Sequence, residues 1–231
     1  MANNFKNAVV RNISADSNLP TTVYSVPDTL KAIAIELDCS NKSSAGVTVT
    51  IQMEDESQNE TKDQAGTTLI TAAANAHSIS NIATDATGVL TTTSSAAHNL
   101  IVNDRVLFNV SSAPSFTNAS LPPSGEAALS VLRFYYVQSA PSVTTFTIAE
   151  TKSAASPLSF DSAGTSVEFK KIHLADLVKD APVPVGGTLK VISGQKIVME
   201  SLVAGANDKL YAYSSGASSV DVIASVLQDV S

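Results

Sequence analysis

The chain of 231 residues has no tryptophan, one cysteine and three histidines, and only 15% of it is charged. Each shortage removes a class of function. A single cysteine, Cys39, builds neither a disulfide framework nor a cysteine-based metal site. Fourteen Lys and Arg against 21 Asp and Glu give a net charge of −7, which argues against a grip on nucleic acid, whose phosphates need clustered cations. Aromatic residues at 5% make a stacking surface for bases or sugars improbable on composition. No run approaches the roughly 18 to 20 apolar residues that span a bilayer. The opening Met1-Ala2-Asn3-Asn4-Phe5-Lys6 lacks the apolar core of a signal peptide. These features read as a soluble chain made in a cytoplasm, with no membrane contact.

What remains is 44% hydrophobic, mostly Ala, Val, Ile and Leu, with Ser and Thr filling much of the rest. That bias favours β-structure. Val47, Val49, Ile51 and Met53 alternate with Thr48, Thr50, Gln52 and Glu54, a period of two that predicts a half-buried strand with the first set inward. Before it, Ile33, Ile35, Leu37 and Cys39 share one face, Glu36 and Asp38 the other, with Cys39 expected as a small buried hydrophobe. Ser40 to Gly46 suits a turn, so the two runs read as a hairpin. Phe5 to Ile13 and Thr21 to Val26 read as two further strands.

The C-terminal part repeats this grammar. Leu189 and Val191, Ile197 and Met199, Leu210 and Ala212, and Val220, Val222, Ala224 and Val226 mark successive strands, with Tyr211 and Tyr213 as an outward pair. Turns fall at Ser193-Gly194 and from Ala204 to Asp208. The stretch carrying Pro182, Pro184, Gly186 and Gly187 cannot sit inside a central strand. Between these blocks the texture changes. Thr67 to Ser80 shows no period, and then Gly88–Thr93, Arg105–Val110, Leu132–Gln138, Val143–Ala149 and Ser166–Lys170 read as strands separated by polar loops. Neither terminal block supplies enough strands for a sandwich, but together they do. The expected fold is therefore all-β: a discontinuous, jelly-roll-like β-sandwich from residues 1–70 and 171–231, with a small β-barrel or sandwich from 71–170 inserted into it.

Candidate chemistry is sparse. His77, His98 and His173 lie outside metal-ligand spacing of one another. No Gly-x-Ser-x-Gly elbow accompanies the many serines. The acidic run Glu54-Asp55-Glu56 with Glu60 lacks the rhythm of a calcium loop and reads as a solvated loop. Gly186-Gly187 is a turn rather than a phosphate cradle, since no Lys-Ser/Thr follows. Phe134-Tyr135-Tyr136 puts rings on both faces of one strand. The favoured reading covers all three, and one left exposed would suit a protein–protein contact. The sequence thus nominates no catalytic, cofactor-binding or metal residue.

Two segments carry a resemblance. Lys179-Asp180-Ala181-Pro182-Val183-Pro184-Val185-Gly186-Gly187-Thr188-Leu189 is followed by Gly194-Gln195-Lys196-Ile197, Asp208-Lys209-Leu210 and the closing Ser219-Val220-Asp221-Val222. With the Asn41-Lys42-Ser43-Ser44 turn, this order resembles small all-β virion proteins of tailed bacteriophages. The middle part, from Thr87-Gly88-Val89-Leu90 through Ala97-His98-Asn99-Leu100 and Asn103-Asp104-Arg105-Val106 to Thr144-Thr145-Phe146-Thr147, resembles a β-module of phage tail, neck and fibre proteins. Asn103 stands where that module has Gly, and Asn keeps access to a left-handed turn. His98 falls at the module's strand–turn entry, where its ring is expected to cap a local backbone group. The resemblance implies a non-enzymatic, multi-copy and homo-oligomeric virion component, a decoration, cementing or adaptor element docking on major capsid or neck and tail proteins. The alternative it leaves open is a receptor- or carbohydrate-binding module on a fibre or head surface.

Overall fold

A computed structural model describes residues 4–56, 77–92, 98–117, 122–192, 194–203 and 206–229. Most of the aperiodic stretch Thr67 to Ser80, Glu60 of the acidic run, Ser193 and part of the Ala204 to Asp208 turn lie outside them. Among the described residues there is no α-helix. The strands run β1 (Asn4–Val10), β2 (Thr21–Ser25), β3 (Lys31–Asn41), β4 (Val47–Glu54), β5 (His77–Ile82), β6 (Leu90–Thr92), β7 (Arg105–Asn109) and β8 (Tyr135–Ser142). They continue as β9 (Thr145–Ala149), β10 (Glu168–Ile172), β11 (Leu174–Val183), β12 (Thr188–Ile192), β13 (Ile197–Val203), β14 (Ala206–Asn207), β15 (Lys209–Ser214) and β16 (Val220–Gln228). Two compact units form, one from Met1–Gln58 with His173–Ser231, the other from Asn59–Ile172.

The first unit is a sandwich of two antiparallel sheets. One has the order β1-β16-β3-β13, with β12 also on β3, and the other β11-β4-β15-β2. β12 pairs with the Leu37–Ser40 part of β3 and β13 with the Lys31–Ala34 part, so they form one interrupted edge strand. Counted so, each sheet has four main strands. Successive strands pass from sheet to sheet except between β4 and β11, which are neighbours in the second sheet. This is the jelly-roll arrangement. The residues of the second unit lie in the β4–β11 connection.

The sandwich core follows the period-two pattern. Val49 and Ile51 from β4, Leu210 and Ala212 from β15, and Val220, Val222, Ala224 and Val226 from β16 are buried between the sheets. Two expectations are corrected here. β3 and β4 are not a hairpin, because β3 pairs with β16, β12 and β13 while β4 pairs with β11 and β15. The turn between them crosses the sandwich. Asn41 holds that crossing: its buried amide donates to the carbonyls of Ala45 (2.8 Å), Val183 (3.0 Å) and Pro184 (3.1 Å), a task that needs the chain to leave the sheet.

The inward face of β3 also changes partway. Ala32, Ala34, Leu37 and Cys39 are buried, whereas Ile33 and Ile35 lie on the outer side. The register against β16 slips between Glu36 and Ala34, leaving Ile35 as the extra residue of a bulge, and one extra residue moves every side chain beyond it to the opposite face. β11 had no sequence signal for a related reason. Its register breaks twice, between Asp176 and Val178 and between Val178 and Ala181, so no alternation survives. Pro182 lies in this strand, at the edge of its sheet, where no ladder donor is missed.

The second unit is a closed antiparallel barrel in the order β10-β5-β6-β9-β8-β7. Of the barrel strands, β5 is the one the sequence did not reveal, falling at the end of the aperiodic stretch. Gly88 precedes β6 with φ +58°, and a Cβ there would lie 1.9 Å from the Leu158 carbonyl oxygen, so no side chain fits. The barrel core is aromatic: Phe108, Phe116, Tyr135, Phe146, Phe160 and Phe169 pack with Leu90, Leu100, Val106 and Ile148.

Candidate functional site

The residues that could carry chemistry are spread over both units, and most are engaged in holding structure. His77 opens β5 and stacks on Phe169 at 5.2 Å. His98 is buried before β7, where the Leu100 N–H donates to its Nδ1 at 3.0 Å and its Nε2 lies 3.2 Å from the Thr145 carbonyl. An Nδ1 that accepts carries no proton, so Nε2 holds it and donates to Thr145. This is the local backbone cap expected of it. His173 is exposed between β10 and β11. Among the described residues no group of three or more His, Cys, Asp or Glu side chains could hold a metal ion. Cys39 is fully buried, and burial first, then the Asp38 charge, pushes its thiol up to about 12, which removes the thiolate that reactivity needs.

The acidic run departs from its reading as a solvated loop. Glu54 is the last residue of β4 and, with Glu56, is buried. Glu54 Oε2 accepts from the Tyr211 hydroxyl at 2.7 Å and from Lys209 Nζ at 3.3 Å. Nearby Asp208 accepts the backbone N–H groups of Glu56 (2.9 Å) and Glu200 (2.8 Å), and burial raises its carboxyl pKa against the effect of those bonds. Burial and the Glu54 charge push the Tyr211 hydroxyl up as well. The period-two pattern assigned Glu54 to the outer face correctly. The error was to equate outer with solvated, since Thr50 and Gln52 on the same face of β4 are buried too.

A second buried polar cluster, which the sequence gave no reason to single out, pins the loop before β8. Arg133 is buried, with Nε and Nη2 at 3.2 and 3.3 Å from the two carboxylate oxygens of Glu126, and Nη1 at 2.8 Å from Glu150 Oε1. The other Glu150 oxygen accepts the Ser124 N–H at 2.9 Å. Phe134, Tyr135 and Tyr136 then follow, all buried. The Tyr135 hydroxyl accepts the Ser130 N–H at 2.9 Å. All three rings are covered, and the contact that an exposed one would have offered is absent from this strand. The Asn103 turn has φ 73°, as expected of a residue standing in for Gly. Gly186 and Gly187 form the β11–β12 corner, closed by the Gly187 N–H on the Pro184 carbonyl at 2.9 Å.

What the fold leaves open is a surface. Of the aromatic rings, Phe5 stands apart at 71% exposure, while every Phe and Tyr of the barrel is buried. Phe5 projects from the outer face of the sheet that contains β1. There it pairs across to Leu227, Leu227 to Ile33, and Ile33 to Val198, one residue from each of four adjacent strands. Val198 is 63% exposed, and Val9 and Ile223, themselves cross-strand partners, are 54% and 44% exposed. Among the described residues, the exposed large apolar side chains of the barrel, Ile101, Val102, Val131, Leu132 and Val143, all lie between strands. The barrel also carries a depression of about 190 Å³ lined by Ile79 to Ile82 and Ala163 to Val167, with Ser80, Asn81, Thr165 and Ser166 as its polar groups. No family model, curated protein or solved structure matches the chain.

Proposed function

We propose that the chain is a non-enzymatic structural protein of a tailed-bacteriophage virion, made in the host cytoplasm and present on the particle in many copies. It serves as a decoration, cementing or adaptor element docking on the major capsid or the neck and tail proteins, and it associates with copies of itself. The observation that carries this reading is the outer sheet face, with apolar residues in register on four strands of a jelly roll. Jelly rolls recur in viral shells and in lectins, so the fold is compatible with the reading without assigning it. Of the turns quoted for the resemblance, those at Asn41–Ser44 and Gly186-Gly187 sit where the chain crosses between the two sheets of the sandwich. Locating the chain in a particle reconstruction tests this. Loss of particle integrity on deleting the gene supports the structural role. Particles that form intact without it and fail only to attach to cells overturn it.

A second reading, receptor or glycan binding, draws on the polar depression of the barrel. Hydroxyls and an amide offer hydrogen bonds there, while the buried barrel rings offer a sugar no face to stack on. Glycan-array binding by the purified protein, abolished by Asn81→Ala, would favour it.

A further inference from the structure

We propose that the row Phe5–Leu227–Ile33–Val198 on the outer face of the β1-β16-β3-β13 sheet packs face to face against the same row of a second copy, giving a two-fold dimer. The inference rests on the multi-copy part of the reading above and names the surface that makes it. Three observations converge on a second copy as the occupant.

The first is the lie of the patch. Strands are about 4.8 Å apart and rise about 3.3 Å per residue, so the sheet face that carries the row, four strands wide and the seven residues of β1 deep, covers roughly 19 by 23 Å, with the hydrogen-bonded pair Asn7–Ser225 between the row and Val9–Ile223. Side-chain relief brings that to the order of 800 Å² on each partner, the size of an ordinary stable interface. Phe5, 71% exposed at one end of the row with exposed Val198 at the other, supplies the aromatic anchor such interfaces favour.

The second is charge. The chain carries −7, yet most charges on this face are matched: Lys31 with Glu200 at 3.5 Å, Lys190 with Glu36 at 2.6 Å and beside Asp38, and, at the far end of the face, Lys42 with Asp221 at 2.7 Å. Two such faces meet without strong repulsion. A partner selected by opposite charge would find little to select.

The third is the edge. β1 ends its sheet, and a second copy could in principle extend that sheet sideways. Lys6 opposes this: it is exposed and pairs with Val226, so it projects from the core side of the edge strand, a placement that hinders edge-to-edge pairing. The face remains, and like faces related by a two-fold close at two copies.

The test is sedimentation velocity of the full chain over a concentration series, for the wild type and for Phe5→Glu, Val198→Glu and the double variant. Both positions are well exposed, so the monomer should fold as before, and an unchanged unfolding midpoint of the dissociated protein checks this. The expected result is a dimer whose dissociation constant rises at least tenfold in each single variant, with the double variant monomeric throughout. A wild type that stays monomeric at about 100 μM, or an oligomer that the double variant leaves intact, overturns the proposal. The particle reconstruction separates the two readings. A variant-sensitive dimer missing from virions leaves this proposal standing and removes the virion role. A chain in the virion with this face against another protein or solvent removes the proposal and leaves the role.

Discussion

The two units solve the same problem, filling the inside of an antiparallel β-structure, with different side chains. The sandwich is packed with Val, Ile, Leu and Ala, and Ala32, Ala34, Ala212 and Ala224 all stand in its core. The barrel is packed with rings, among them a Phe146–Phe169 contact at 4.7 Å and a Phe116–Phe160 contact at 5.3 Å. Two stacked sheets can approach until short side chains interdigitate. A closed barrel has a fixed interior that side chains must fill from all round, and a few large rings do so. Low aromatic content across the chain therefore described only the sandwich. The composition was an average over two unlike cores.

The difference can be broken by truncating a ring. Phe146→Ala removes a fully buried side chain that touches Phe169 and lies 5.3 Å from His98, and it should cost about 3–5 kcal/mol. Hydrogen exchange by mass spectrometry should show the lost protection in β5 to β10. Equal loss in β3 and β16 would mean the two cores are one cooperative unit. The converse test enlarges the sandwich core. Ala34→Leu places a branched side chain where the core holds alanine, and the strain should cost about 1–3 kcal/mol in urea unfolding. A neutral or stabilising outcome would show spare room between the sheets.

Legibility in the sequence followed the same divide. Strands with unbroken alternation, β4 and β16, could be read directly, because the inward residues Val47 to Met53 and Val220 to Val226 are apolar. Where a bulge intervenes the reading slips. The extra residue at Ile35 reverses the face of β3, and the two breaks in β11 erase its period. Which sheet a strand joins is not a local property, so the β3–β4 turn looked like a hairpin although Asn41 carries the chain across the sandwich. The outer-face row was invisible for a similar reason. Phe5, Ile33, Val198 and Leu227 are distant in sequence and become one surface only through register. Buried polar clusters escaped too. Arg133 and Glu150 lie far apart in the chain, and Glu54 looked like the start of a loop.

Charge gives the smallest and finest form of the contrast. The barrel's Arg133–Glu150 pair is buried, whereas the sandwich's Lys42–Asp221 pair has side chains 40% and 30% exposed. Lys42 also reaches Asn12, and Asp221 Oδ1 accepts the Asn12 N–H at 3.0 Å. The bond from Lys42 holds the Asp221 carboxyl below the usual carboxylate range. A carboxyl whose pKa is lowered by folding binds its proton less readily in the native state. Its contribution is therefore complete above the unfolded value of about 3.9 and is lost as pH falls through the lowered folded value. Solvent screening at such exposure keeps it to a few tenths of a kcal/mol at most. Urea unfolding of the wild type and of Asp221→Asn between pH 5 and pH 2 should show the wild type losing slightly more stability on acidification, with the difference vanishing at about 1 M salt. A difference above about 1 kcal/mol, or one that survives in salt, would place this pair with buried ions such as Arg133–Glu150 and remove the contrast between the two pairs.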